Sequence, residues 1–316
     1  MKFKLLIIFL ILLPAALAQD FNNYNNLTIN FNLDGNFTLK STGSNPKIDE
    51  VNTFLTFIPQ NDILQKIRTD NYYSSPRSEI IENPEEVKYE WGNPRLGNYN
   101  FGVDAEIVVK NAIVIVDEKV TFPLEYKNTQ YTEPTEFIDI NPQIKAQAQS
   151  LAEGEDDLYV VSMKIAEWVE ENIEYDLSTL TAEAVQKSSW VLTNKQGVCD
   201  ELTNLFISML RSLGIPARFV SGMAYTNLGN KWGPHGWAEV YFPDKGWVPF
   251  DVTYKQFGWI DPSHVKLKVS EDSGEATVRY TWRSHNIQVE GKEINLSANL
   301  ISKGEKIFSD PFKIKP

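Results

Sequence analysis

The sequence predicts an α+β protein: a helical lobe followed by an antiparallel hairpin in the middle of the chain, with β-rich segments on either side. Three observations predict it. Short alternating apolar runs, cut by frequent turn clusters, extend from Phe21 to about Tyr131. Helix-period spacing takes over beyond Asn141 and lasts to Leu213, and short strands then return.

The first of these regions contains runs such as Asn26 to Leu33 and Ala105 to Val116. Turn signals at Asp34-Gly35, Gly43 to Pro46, Asn83-Pro84, Gly92 to Pro94 and Gly97-Asn98 divide them, as in a β-sandwich. Residues 19–132 are therefore expected to form a β-rich, sandwich-like domain. Helices are expected over Gln143 to Leu151, Asp156 to Asn172 and Ala182 to Leu192, the second with Asp156 and Asp157 at its positive dipole end. Leu202, Leu205, Phe206, Met209, Leu210 and Leu213 then form one apolar stripe, stopped by Gly214 and Pro216. Cys199 thus opens a buried helix.

Arg218 to Tyr225 reads as a strand and Thr226 to Pro234 as a loop. Trp237 to Phe242 and Trp247 to Phe250 read as a hairpin around Pro243 to Gly246. The expected division places an α+β domain at 133–262 and a small C-terminal β segment at 263–316.

Composition sets limits on function. A hydrophobic fraction of 42 % and a charged fraction of 23 % over 316 residues describe a folded chain of more than one domain. Lys2 and Lys4 precede an apolar run from Leu5 to Leu13, and Ala16-Leu17-Ala18 offers small residues where a signal peptidase reads. Residues 1–18 are accordingly expected to be a cleaved signal peptide, with the mature protein secreted or held at the cell surface. No later segment approaches the roughly 20 apolar residues of a membrane span. Loss of Lys2 and Lys4 takes the formal charge from −12 to −14, with 28 basic against 42 acidic residues, which argues against a nucleic-acid partner. Once export is granted, Asn26, Asn36 and Asn295 become N-glycosylation candidates.

The chain has one cysteine, so Cys199 forms no internal disulfide. A thiol reacts as its thiolate, and the first turn of a helix, with unpaired N–H groups and a positive dipole end, favours that anion. It also needs a base that can return the proton, a task suited to histidine. His235 stands in Gly233-Pro234-His235-Gly236-Trp237, at the expected mouth of the hairpin, and Asp251 ends the returning strand. A loop centred on Asp244 would pair Trp237 with Asp251 and put His235 on the same face as its diagonal neighbour; a symmetric Pro243 to Gly246 loop would separate them. His264 and His285 lack such support and are read as packing or solvent residues. Trp190 and Gln196 are further candidates for the oxyanion site or cleft.

Four blocks carry a family resemblance: Gly197-Val-Cys199-Asp-Glu201, Leu210 to Gly222, His235-Gly-Trp-Ala-Glu-Val-Tyr241 and Gly246-Trp-Val-Pro-Phe-Asp251-Val-Thr253. Over roughly Asn141 to Pro262 the chain resembles the transglutaminase-like superfamily. That resemblance implies a papain-like core with Cys199 as nucleophile, His235 as general acid and base, Asp251 as its orienting carboxylate, and no metal or other cofactor. It implies a peptide or protein substrate, with a cell-envelope polymer among the open classes, and a thioester intermediate resolved by water or by an amine. Hydrolysis ranks first, protein-glutamine acyl transfer second, and a catalytically idle cell-surface binding module third. Two positions depart from the family pattern: Val252, where proline is usual, and Gly236, where alanine often follows the histidine.

Overall fold

The computed structural model describes residues 21–113, 116, 118–124, 129–181, 185–226, 229–243, 245–292 and 294–307; the expected signal segment lies outside them. Six strands come first: β1 (Asn26–Ser41), β2 (Lys47–Leu55), β3 (Gln65–Ser75), β4 (Glu79–Glu82), β5 (Val87–Gly92) and β6 (Gly97–Lys110). Along β1 and β6 every second side chain turns inward, among them Phe31, Phe37, Phe101 and Val103. Two antiparallel sheets, one built on β1, β3 and β6 and the other on β2, β4 and β5, meet through these rows. Phe37 packs on Trp91 and Tyr89 on Phe101, with ring centroids 5.3 and 5.4 Å apart. Each such side chain contributes roughly 1.5–3 kcal/mol through burial.

The helical lobe comprises α1 (Pro142–Ala152), α2 (Leu158–Asn172), α3 (Ser188–Asn194) and α4 (Cys199–Ser212). Asn141 caps α1 by accepting from the Ile144 N–H at 2.8 Å, and Asp157 caps α2 by accepting from Tyr159 at 2.9 Å. The helix expected over 182–192 begins only at Ser188; residues 182–184 are outside the described set.

Helix α4 differs from its amphipathic pattern, because Glu201 to Arg211 are all buried. Its polar face is covered too. Thr203, Asn204, Ser208 and Arg211 all find partners there, although the Asn204 Oδ1 atom has none among the described residues. Ser208 Oγ donates to Asp139 O at 2.7 Å, Thr203 Oγ1 to Gly236 O at 3.3 Å and Asn204 Nδ2 to Ser273 Oγ at 2.7 Å. Arg211 donates to the carbonyls of Ala217, Glu133 and Glu271. Burial of polar groups is tolerated where hydrogen bonds replace water, so the helix that starts at Cys199 is held on its polar face as well as its apolar one.

Beside the lobe lies an antiparallel sheet of β7 (Ala217–Thr226), β8 (Lys231–Phe242), β9 (Gly246–Asp251), β10 (Gln256–Phe257) and β11 (Val265–Ser270), in the order β10-β9-β8-β7-β11. One face contributes Phe219, Ala238, Val240 and Phe250 to the core around α4; the other sends Met223, Tyr225, Val265 and Leu267 into the sandwich core. Of the expected 226–234 loop, Thr226 ends β7, Gly229 and Asn230 form a turn and 231–234 belong to β8, so His235 sits within a paired strand opposite Gly222.

The strands after residue 262 do not stand apart as a C-terminal segment. β11 completes the sheet just described, while β12 (Val278–His285) pairs with β2, and β13 (Ile287–Gly291) and β14 (Asn295–Lys303) pair with β1. Strand pairing over such separations depends on edges left open elsewhere in the fold, which local pattern does not encode. Of the glycosylation candidates, Asn295 is exposed, while Asn26 and Asn36 are half-buried in β1. Among the described residues no helix is long and apolar enough to cross a membrane.

Candidate active site

The hairpin register decides whether His235 can meet Asp251. Ala238 pairs with Phe250, Val240 with Val248 and Phe242 with Gly246, so one more step sets Trp237 opposite Asp251. This is the arrangement with the shorter loop, whose centre, Asp244, lies outside the described residues. His235 and Asp251 therefore share a face. His235 Nε2 lies 2.6 Å from Asp251 Oδ2, and both side chains are buried.

Asp251 is a fully buried carboxylate with every approach occupied. Its Oδ1 accepts from the N–H groups of Thr253 at 2.8 Å and Tyr254 at 3.0 Å, so the turn after β9 closes on it. Burial alone would raise its pKa, but the charge and hydrogen bond of His235 and the hydrogen bond of His264 hold it well below the usual carboxylate range. An ionised carboxylate at Nε2 places the imidazole proton there and leaves Nδ1 as the basic nitrogen.

Cys199 is the first residue of α4 and is half-buried. Glu201, three positions after the N-cap residue Val198, accepts from the Val198 N–H at 3.0 Å and from Gln186 N at 3.1 Å, which fixes the start of the helix. The sulfur takes backbone hydrogen bonds from Gly236, the residue after His235, and from Asp200. Its own proton is directed to Asp200 Oδ1, 3.7 Å away. The helix start was expected to favour the thiolate; instead burial and the neighbouring Asp200 carboxylate push the thiol well above its ordinary value. Asp200 itself is pushed up to about 6, by burial and by Glu201, against the opposing pull of His235 and the thiol.

Gly236 is where the family pattern often has alanine, and the packing explains the glycine. A Cβ at this position would meet the Phe219 ring and lie 2.8 Å from Asp200 Oδ1. β8 can approach the start of α4 this closely because the residue has no side chain.

Aromatic side chains surround the imidazole. Tyr254 stacks on His235, and the buried Trp237 packs beside both His235 and His264, with ring centroids 6.2 and 5.3 Å away. Tyr175 lies on the exposed side, where burial together with the charges of Cys199 and Asp200 raises its phenol to about 12. Tyr175 and Thr253 also line an adjoining recess of about 510 Å³.

Trp190 packs against the helical core, and Gln196 belongs to a two-residue parallel bridge that pairs with Glu174. Trp247 packs against Arg218 and Tyr131 behind the sheet. Val252, in place of the usual proline, is buried in the helical core. His285 lies at the end of β12 and is exposed.

His264 is the residue that sequence reasoning missed. It is fully buried, with Nε2 3.1 Å from Asp251 Oδ2 and Nδ1 3.2 Å from Asp261 O. Its signal was its rarity as one of three histidines, in an Asp-Pro-Ser-His sequence just after the hairpin. The two imidazoles and Asp251 place their donor atoms within 4.8 Å of one another, a set that resembles metal ligands. The 2.6 Å contact, however, is closer than the roughly 3.3 Å between two ligands on a tetrahedral zinc. Both His–Asp251 contacts are at hydrogen-bond distance.

Residues 145–252 match the family model described as the transglutaminase-like superfamily. The chain is 25 % identical over 199 residues to the uncharacterized protein YebA of Bacillus subtilis, a match over 57 % of this chain and 26 % of that protein. It is 27 % identical over 124 residues to a protein-glutamine gamma-glutamyltransferase of Pseudomonas aeruginosa, over 36 % of this chain and 19 % of that one. The chain thus spans about a quarter or less of the length of these relatives. A solved structure from Cytophaga hutchinsonii, provisionally assigned as a cysteine protease, superposes with a TM-score of 0.65 at 15 % identity, covering 90 % of this chain and 95 % of that one. It shares the fold across both the sandwich and the helical lobe. Residues 145–252 of this chain thus form a transglutaminase-like domain.

Proposed function

We propose that this chain is an exported cysteine enzyme that hydrolyses amide bonds of peptides or proteins, with Cys199 as nucleophile, His235 as general acid and base, and Asp251 as the carboxylate that orients it. The observation that carries the reading is the 2.6 Å hydrogen bond between His235 and a buried Asp251, on a strand whose next N–H reaches the Cys199 sulfur. A thiol held protonated by Asp200 gives up its proton as attack occurs, so His235 Nδ1 acts as general base rather than as a resting ion-pair partner.

In the first half-reaction the sulfur bonds to the acyl carbon and the thiol proton passes to Nδ1. That proton then moves to the leaving amine as the C–N bond breaks, giving a thioester and a free amine. In the second half-reaction water gives a proton to Nδ1 while its oxygen bonds to the acyl carbon. The C–S bond breaks, and the proton returns to the sulfur. A primary amine in place of water would give a new amide. The likeness to the Pseudomonas aeruginosa gamma-glutamyltransferase favours this acyl transfer as the second reading.

Incubation of the full chain with a peptide library, with Cys199→Ala as control, tests the proposal. New carboxyl ends with the native chain and none with the variant are expected. Incorporation of a labelled primary amine into glutamine peptides without hydrolysis would replace hydrolysis by acyl transfer. The absence of both products would leave a binding module.

A further inference from the structure

Asp251 carries one hydrogen bond more than a triad requires. Its Oδ2 faces His235 Nε2 at 2.6 Å and, from the other side, His264 Nε2 at 3.1 Å. The second imidazole is itself held: its Nδ1 lies 3.2 Å from Asp261 O and 3.5 Å from Asp261 Oδ1. Asp261 is fixed in turn, accepting from Gln256 Nε2 and from the Ser263 N–H, both at 2.7 Å. The line of contacts thus runs His235, Asp251, His264, Asp261.

The backbone is built to bring His264 there. His264 immediately precedes β11, whose Lys266 pairs with Gly222 on β7, and Gly222 pairs with His235 on β8. A Cβ at Gly222 would lie 2.8 Å from the Trp237 ring and would clash with Val265 O. The missing side chain lets β11 close on β7 and lets the Trp237 ring pack against β7 beside the two histidines.

We propose that His264 is a positioning residue for the reaction at Cys199: with Asp261 behind it, it fixes the Asp251 carboxylate from the side opposite His235 and balances that carboxylate's charge. The proposal rests on the catalytic reading of Cys199, His235 and Asp251 given above. The electrostatics agree with it. Burial would lower the His264 pKa, but Asp261 and the hydrogen bonds to Asp251 and Asp261 push it up to about 10, so the imidazolium persists at neutral pH. The groups that face it are Asp261 on its own loop, Asp251 from β9, His235 from β8 and Tyr254 from the turn between β9 and β10. Asp251 raises the Cys199 thiol. Removal of the cation that offsets Asp251 raises it further.

The test is the pH dependence of Cys199 alkylation by iodoacetamide in the full chain, comparing native protein with His264→Gln and Asp261→Asn. Glutamine keeps an N–H donor and loses the charge; asparagine leaves His264 in place and removes what keeps it charged. The alkylation midpoint is expected to rise by about half to one pH unit in both variants. The His264 ring signal in NMR should stay that of the protonated form between about pH 6 and 8 in native protein and titrate there in Asp261→Asn. An unchanged midpoint in folded His264→Gln overturns the proposal, as does a loss confined to melting temperature. The functional reading fails differently: native protein that alkylates at Cys199 yet acts on no peptide refutes amide hydrolysis, and the shift between native and variant still decides the role of His264.

Discussion

His235 lies stacked on Tyr254, with ring centroids 4.6 Å apart and planes 18° from parallel. The same tyrosine gives its backbone N–H to Asp251, so one residue of the turn after β9 constrains both the imidazole and its carboxylate. The stack is worth about 0.5–1.5 kcal/mol. Tyr254→Ala is expected to lower kcat about tenfold with KM changed less than about twofold, because the ring loses its fixed plane. Tyr254→Phe keeps the stack and should keep most of the activity. Steady-state kinetics of the two variants check this.

Asp200 raises the thiol pKa, so its neutral analogue should lower it. In Asp200→Asn the alkylation midpoint of Cys199 is expected to fall by on the order of one pH unit, giving roughly tenfold more thiolate at neutral pH. The effect should fade below about pH 6, where the native carboxylate is itself protonated. Iodoacetamide rates measured against pH in native protein and variant decide it.

Stability should fall on both sides of neutrality, for separate reasons. Asp251 and Asp261 have depressed folded values, Asp261 to about 2, so their contribution is present above the unfolded value of about 3.9 and is lost as pH falls toward the folded values. His264 has a raised value of about 10, so its contribution is complete below the unfolded value of about 6.5 and is lost as pH rises through 10. Melting temperature measured across pH should decline on both limbs. His264→Gln should flatten the alkaline decline.

Gly236 sets the gap between β8 and α4. Gly236→Ala is expected to destabilise the protein by about 1–3 kcal/mol, since Phe219 and Asp200 must move to admit a methyl group. Alkylation of Cys199 should change as well, because the displaced strand carries the N–H that reaches the sulfur. Urea unfolding and alkylation rates measured together distinguish this from a purely structural loss.

The helix opened by Cys199 was legible in the sequence because apolar spacing is local. The parity of the hairpin was not fixed by its turn signal, since a symmetric Pro243 to Gly246 loop would have put His235 and Asp251 on opposite faces. The observed register was expected only from the need for the two to meet. The full burial of α4 was not legible, since Thr203, Asn204, Ser208 and Arg211 look solvent-facing until their partners arrive from distant segments. His264 was missed for the same reason. Its importance comes from β11 lying two strands away from β8 in the sheet, and no spacing within Asp251 to His264 records that neighbour. The raised thiol was hidden by Asp200, whose adjacency in sequence does not reveal that its carboxylate turns back toward the sulfur.

The central claim is that the Cys199 sulfur takes an acyl group with His235 and Asp251 assisting, and the most direct measurement is mass spectrometry of the full chain mixed with an activated peptide ester. The account predicts an acyl group on the Cys199 peptide alone, formed about a hundredfold more slowly in His235→Ala and in Asp251→Ala. Acylation elsewhere, or at the native rate in folded His235→Ala, would contradict it.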